Sequence, residues 1–169
     1  EKWDLNTGVL SGDAMLILAY QLFENYEPTT FRALAKLFGK TALEVCEGQQ
    51  WDMEFEIRPS VTESQYINMI RLKTAVLLGF SLEFGAILAN APIEDQLALR
   101  EFGVNIGIGF QLKDDLLDVY ADQSHFGNQV GGDIITNKKT LLLIEALQLA
   151  KGNSKKKLLD WISKENFKP

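Results

Sequence analysis

Gln111, Asp114, Asp115 and Asp118 fall within two helical turns of one segment, Phe110-Gln111-Leu112-Lys113-Asp114-Asp115-Leu116-Leu117-Asp118, whose other residues are mostly apolar. Positions three and four apart share a helix face, so the amide and the three carboxylates form a single polar stripe. Phe110, Leu112, Leu116, Leu117 and Val119 cover much of the remaining circumference. Gly103 and Gly107 continue the stripe toward the start of the segment. Like charges spaced this way repel by roughly a few tenths of a kcal/mol in water, and by more where apolar neighbours lower the dielectric. A divalent cation removes that repulsion. Hard cations such as Mg2+ take carboxylate oxygens and complete their shell with waters and substrate phosphates, so the stripe reads as a site for a metal-bound phosphate ester. The alternative is a solvated acidic face. A solvated face usually mixes charges, whereas Lys113 is the only cation between Phe102 and Val119, and the stripe is therefore expected to line an internal cavity.

Three further groups could take part. Lys73-Thr74 sits between Met69-Ile70-Leu72 and Ala75-Val76-Leu77-Leu78. An ammonium among such neighbours needs an anion or a route to water, because its desolvation is costly. A phosphate would satisfy it, and so would snorkelling along its alkyl stem. Gly48-Gln49-Gln50-Trp51-Asp52 places Gln49, Asp52 and Glu56 along one helix face, where side chains of these types are most often solvated; the glycine could also admit a ligand or a neighbouring helix. The loop Gly127-Asn128-Gln129-Val130-Gly131-Gly132-Asp133, followed by Lys138-Lys139-Thr140, joins a pliable backbone to an acid and two bases. Its N–H groups could close on an anion, or it could be an ordinary surface turn. Taken together, the stripe, the embedded lysine and the loop point to a diphosphate held through magnesium.

The elements that must position these groups are helices, since the period of 3.6 runs through almost every segment and no strand-like alternation appears. Ser11-Gly12-Asp13 precedes an apolar run that predicts a helix over 14–25, and Pro28-Thr29-Thr30 supplies a turn and a cap. A helix is expected over 31–56, burying Leu34, Leu37, Phe38, Leu43, Val45 and Phe55, and stopped by Arg58-Pro59. Thr62-Glu63-Ser64-Gln65 has the form of a capping box and opens a long helix to about Asn90. Ala91-Pro92 breaks it. The next helix runs from near Ile93 to Tyr120, with an interruption possible at Phe102-Gly103. Residues 121–138 read as a long functional loop, and helices over 140–150 and 154–163 close the chain. No linker divides residues 1–169, which form one helical domain.

Composition narrows the function. The 169 residues are 46% hydrophobic and 24% charged, which suits a single globular domain able to bury a core without staples. A net charge of −6 argues against nucleic acid or an anionic membrane as the partner, and the short run Lys155-Lys156-Lys157 does not reverse it. The single Cys46 excludes an intrachain disulfide framework and suits a reducing compartment, as a buried structural thiol. His125, the only histidine, lies in the polar loop and reads as a surface residue. No signal-like n-region opens the chain, and the apolar stretch 74–82 is about half the roughly 18 residues of a membrane span, so a cytoplasmic protein is expected.

These motifs, in this order, resemble the trans-isoprenyl diphosphate synthases, also called polyprenyl synthetases. Phe110-Gln111-x-x-Asp114-Asp115-x-x-Asp118 resembles the second aspartate-rich motif of that family, and Lys73-Thr74 its helical Lys-Thr pair. Ser11-Gly12-Asp13-Ala14, Gly48-Gln49-x-x-Asp52 and Gly132-Asp133-Ile134 through Lys138-x-Thr140 also fall in the family's order, so the likeness covers nearly the whole chain. The resemblance implies an all-α helical bundle of the isoprenoid synthase type around a central cavity, incomplete here at both ends, and usually a homodimer. It implies a chain-elongating prenyltransferase that joins isopentenyl diphosphate to an allylic diphosphate with Mg2+. Asp114 would be the direct metal ligand, with Asp115 and Asp118 ligating or orienting its waters. Lys73 and Lys138 would bind the allylic diphosphate, Thr74 and Gln111 would present oxygen dipoles to the cation, Phe110 would line the isopentenyl side, and Gln49 and Asp52 would support the metal and diphosphate region.

The chain departs from the family pattern at two places. Gly127-Asn128 stands where the family usually has lysine after the glycine, which weakens one phosphate contact. The family's first aspartate-rich motif, with its arginine pair, normally precedes the segment resembling Glu1-Lys2-Trp3, and no second Asp-Asp-x-x-Asp occurs in the chain. The family's last helices would also follow Pro169. The chain thus resembles a central piece of a synthase, expected to have little turnover alone. Two other readings stand beside this one, a class I terpene cyclase and a noncatalytic subunit that pairs with an active synthase; the Lys-Thr pair and the Gly-Asp loop favour chain elongation.

Overall fold

The computed structural model describes residues 3–121 and 131–163, which form helices and connections with no strand among them. Helix α1 spans Leu5–Gln21, α2 Pro28–Ile57, α3 Glu63–Ile70 and α4 Val76–Leu88, with a π-helical turn, Arg71–Ala75, joining α3 to α4. Helix α5 spans Ile93–Tyr120, α6 Gly132–Ile135, α7 Leu141–Leu149 and α8 Gly152–Ile162.

Local chemistry sets most of these boundaries. Asp4 accepts from the Thr7 amide at 3.0 Å and from the Thr7 hydroxyl at 2.9 Å, so α1 opens about nine residues before the start expected from the apolar run. Ser11-Gly12-Asp13 therefore lies inside the helix. Pro28 occupies the first turn of α2, where its missing N–H costs no intrahelical bond. The capping box is present: the Gln65 amide donates to Thr62 Oγ1 at 3.3 Å, and the Thr62 amide donates to Gln65 Oε1 at 2.9 Å. Helix α5 runs through Phe102-Gly103 without a break, and Glu94 and Asp95 face its positive end.

Helix α4 folds back onto α5 through a short connection, and small residues let the two meet closely. A Cβ placed on Gly103 would stand 2.8 Å from the Gly79 backbone, and one on Gly107 would stand 2.5 Å from Ala75 Cα. Gly103 and Gly107 thus pack against the preceding helix and do not extend the polar stripe. A core of Phe55, Val61, Tyr66, Met69, Ile70 and Ile144 joins α2, α3 and α7, with Leu112 of α5 packed against it. At the other end of the bundle, Tyr20, Phe23, Phe38, Phe80 and Phe84 stack through ring contacts with centroids 4.8–5.9 Å apart. Leu34, Leu37 and Phe55 are buried on α2 as expected, whereas Leu43 is 73% exposed. Cys46 is exposed, not the buried thiol expected from the sequence. Helix α1 buries none of its residues.

Candidate active site

The π turn is the pivot of the site. It places Lys73 and Thr74, neighbours in sequence, toward two different helices. Lys73 Nζ pairs with Asp52 Oδ2 of α2 at 2.5 Å, while Thr74 Oγ1 donates to Gln111 Oε1 of α5 at 3.1 Å. A wide turn adds a residue to the helix, and such turns recur at functional sites. Its neighbour Gly48 makes room for it, since a Cβ there would stand 2.7 Å from both Leu72 C and Lys73 Cα. The glycine thus admits a neighbouring helix, one of the two roles its sequence left open.

On α5 the three aspartates have different surroundings. Asp114 is exposed, Asp115 is 2% exposed and Asp118 is half-buried. The stripe therefore does not face one internal cavity as a unit. The Gln111 amide donates to Asp115 Oδ1 at 3.1 Å, and the Tyr66 hydroxyl donates to Asp115 Oδ2. Burial first, and then the bond to Asp115, push the Tyr66 phenol pKa up, so the hydroxyl stays protonated and remains a donor. Asp118 Oδ2 accepts from the Asp133 amide at 3.0 Å, and its carbonyl accepts from the Gly131 amide at 2.6 Å. This pins the described end of the Gly-rich loop to α5. His125, Gly127 and Asn128 lie outside the described residues.

Lys138 completes this side of the site through a 3.2 Å ion pair with Asp133. Burial pushes the Asp133 carboxyl up; Lys138 pulls it down, Asp118 and Asp115 push it further up, and the net shift is upward. For Lys138 burial favours the neutral form, but Asp133 and then Asp115 outweigh it and hold the ammonium above its ordinary value. Lys139 is buried, and loss of water holds its ammonium below the ordinary value while it donates to the Asn137 carbonyl at 3.1 Å. Gln49 stands exposed one turn before Asp52, and Phe110 is 60% exposed on α5. A cavity of about 500 Å³ lies beyond Asp133, lined mainly by apolar residues including Val119, Ile134, Leu143 and Ile162.

Among the described residues no group of three or more His, Cys, Asp or Glu side chains is gathered closely enough to hold an ion by itself. That arrangement still fits Mg2+, which usually binds through one or two carboxylates and fills the rest of its shell with water and phosphate. Asp114, exposed, and Asp118, with one oxygen engaged by Asp133, suit that role; both oxygens of Asp115 already accept hydrogen bonds. Tyr66 escaped the sequence reading: it lies in α3, before the π turn that carries Lys73, and no local spacing marks a partner 49 residues away on α5.

Comparison with known proteins gives a consistent result. The family model described as Polyprenyl synthetase matches residues 1–169. A short chain isoprenyl diphosphate synthase of Methanocaldococcus jannaschii is 38% identical over 161 residues, which are 95% of this chain and 49% of that protein. A geranylgeranyl diphosphate synthase of Methanosarcina mazei is 40% identical over 149 residues, 87% of this chain and 46% of that protein. A crystal structure of a geranylgeranyl pyrophosphate synthase superposes with a TM-score of 0.90 at 49% identity, covering 96% of this chain and 49% of that one. The chain spans about half the length of the relatives it matches.

Proposed function

Because this chain belongs to the polyprenyl synthetase family, which the match over its full length shows, we propose that the protein is a chain-elongating trans-prenyltransferase joining isopentenyl diphosphate to an allylic diphosphate. In this reaction the allylic C–O bond breaks and its electron pair leaves with the diphosphate. The isopentenyl double bond then supplies the pair for the new C–C bond, and loss of a proton restores a neutral alkene.

The observation that carries the reading is the junction at Lys73 and Thr74, a cation and a hydroxyl side by side, one held by Asp52 and the other by Gln111. Lys73 keeps a third of its side chain exposed, so an entering diphosphate can take up N–H donors that Asp52 does not use. Thr74 and Gln111 offer oxygen dipoles where positive charge would develop on the allyl group, and such fixed dipoles need no reorganisation during reaction. Asp133 holds Lys138 for the same anion, and Asp118 fixes the backbone from which Asp133 projects. Mg2+ held through Asp114 and Asp118 would supply positive charge to stabilise the departing diphosphate. Asp52 orients Lys73, Gln49 lies on the same side of α2, and exposed Phe110 is available to line the isopentenyl side.

The protein is proposed to act as a homodimer in a reducing, cytoplasmic setting. Leu5, Leu10, Met15 and Leu18 are exposed around α1, a helix that buries none of its residues, and apolar side chains left open in this way are what an assembly covers; the free, exposed Cys46 suits a compartment that keeps thiols reduced. No described helix is long and apolar enough to cross a membrane. The complete gene product, given Mg2+, isopentenyl diphosphate and dimethylallyl, geranyl or farnesyl diphosphate, is expected to release diphosphate and a product longer by at least one isoprene unit. Failure with all three allylic substrates overturns the reading. The 169 residues alone are expected to turn over little, and robust product from them would count against a site that needs residues beyond this half.

A further inference from the structure

Tyr66 belongs to none of the motifs above, yet it is 1% exposed and donates to Asp115, itself 2% exposed. The consequences follow from donor and acceptor inventory alone. An ionised carboxylate only accepts, so Asp115 Oδ1 must face the N–H₂ group of Gln111, as it does at 3.1 Å. The carboxamide is planar, and its oxygen is thereby turned to the other side, where it accepts from Thr74 Oγ1 at 3.1 Å. A threonine hydroxyl has one proton. With that proton committed to Gln111, Thr74 can offer a third group only its oxygen lone pairs. Four side chains from two helices thus form a relay of fixed polarity that ends in electron density at Thr74, and hydrogen bonds aligned in this way polarise one another.

We propose that Tyr66 is a positioning residue that sets this polarity, and that Asp115 belongs to the relay Tyr66–Asp115–Gln111–Thr74 and not to the metal ligands. Without the phenol, Asp115 Oδ2 loses its donor and the carboxylate is no longer held in one orientation, so the Gln111 carboxamide is free to turn over and present its N–H₂ to Thr74. Asp115→Asn produces a related inversion by placing N–H₂ where Gln111 now donates. The inference rests on the prenyl-transfer reading only for the identity of the group that Thr74 faces, an allylic cation; the relay itself does not depend on it.

The test combines Tyr66→Phe, Asp115→Asn and their double variant in the complete gene product, with Asp114→Asn as the reference for a metal ligand. Tyr66→Phe and Asp115→Asn should each lower kcat roughly 10- to 100-fold while the Mg2+ concentration at half-saturation stays within about twofold. Asp114→Asn should raise that concentration by more than about tenfold. The two relay substitutions should not multiply, because either one breaks the same chain. A readout free of turnover is urea unfolding of the Mg2+-free protein, where the double variant should be no less stable than the weaker single one. The proposal is overturned if Asp115→Asn raises the Mg2+ requirement as far as Asp114→Asn does, or if the two stability losses simply add. Where Tyr66→Phe does not fold, the isosteric Asp115→Asn decides by the Mg2+ titration. Absence of prenyl transfer by the unsubstituted protein would sink the functional reading alone, since the unfolding cycle still decides the relay.

Discussion

Replacing Gly48 by alanine should destabilise the protein, although alanine is the better helix former. In an exposed helix interior the exchange gains about 0.5–1 kcal/mol, because glycine loses more backbone freedom on folding. At Gly48 the new methyl would stand 2.7 Å from Leu72 C and from Lys73 Cα, and these are main-chain atoms that no rotamer change can move aside. Insertion of carbon into a packed contact costs typically about 1–3 kcal/mol, and a backbone neighbour puts this site at the upper end. The net expectation is a loss of about 2 kcal/mol, with α2 pushed away from the π turn and the Lys73–Asp52 pair lengthened. Gly8 and Gly12 are the controls: nothing lies within 4 Å of a Cβ at either, so Gly8→Ala and Gly12→Ala should be neutral or stabilising by up to about 1 kcal/mol. Urea unfolding followed by far-UV circular dichroism measures both signs, as a midpoint shift at unchanged slope. Equal or greater stability of Gly48→Ala would show that α2 does not press on the turn as described.

Four other outcomes follow from particular contacts. Thr62→Ala removes the cap of α3 and should cost about 1 kcal/mol of stability; no change in midpoint would mean that the capping box is not formed in solution. Arg100 joins α5 to Glu83 at 2.8 Å and to Glu44 at 3.6 Å, so Arg100→Leu takes the partner from the largely buried Glu83 carboxylate, leaves Glu44 only its 3.9 Å contact with Lys40, and should cost roughly 3 kcal/mol; an unchanged unfolding midpoint would refute the pairing. Lys139 has a depressed folded value, so its desolvation cost is fully present below that value and fades as pH rises toward 10.5. The stability of the native chain relative to Lys139→Met should therefore improve with rising pH across that window, and a flat difference would refute it. Lys73→Met should raise the KM for the allylic diphosphate and lower kcat together, because the ammonium would serve both binding and departure of the anion; a change in the isopentenyl KM alone would place Lys73 elsewhere.

Much of this was legible in the residues. Pro28, Pro59, Pro92 and the Thr62–Gln65 box act within a few residues of themselves, so the boundaries they set could be read directly. The aspartate stripe was visible because an apolar helix with carboxylates at one face has few explanations. Three features escaped because their causes are tertiary. Gly8 and Gly12 weakened the pattern of α1, while Asp4 supplied the cap that extends it. Gly103 and Gly107 looked like part of a polar face until the close approach of Gly79 and Ala75 gave them a packing role. The different fates of Asp114, Asp115 and Asp118 depend on Tyr66 and Asp133, partners 49 and 15 residues away in the chain.

The added residue in the π turn has a mechanical corollary. A regular α-helix advances about 100° per residue, so relaxing the wide turn over Arg71–Ala75 to regular α-helix with every residue kept would swing everything downstream by roughly that angle relative to Tyr66. Gly79 would then leave Gly103, Ala75 would leave Gly107, and the hydroxyl would no longer reach the carboxamide. The turn is a phase shifter between two stretches of one rod: the first is clocked to the polar relay, the second to the glycine seam, and no uniform helix of this sequence could satisfy both at once.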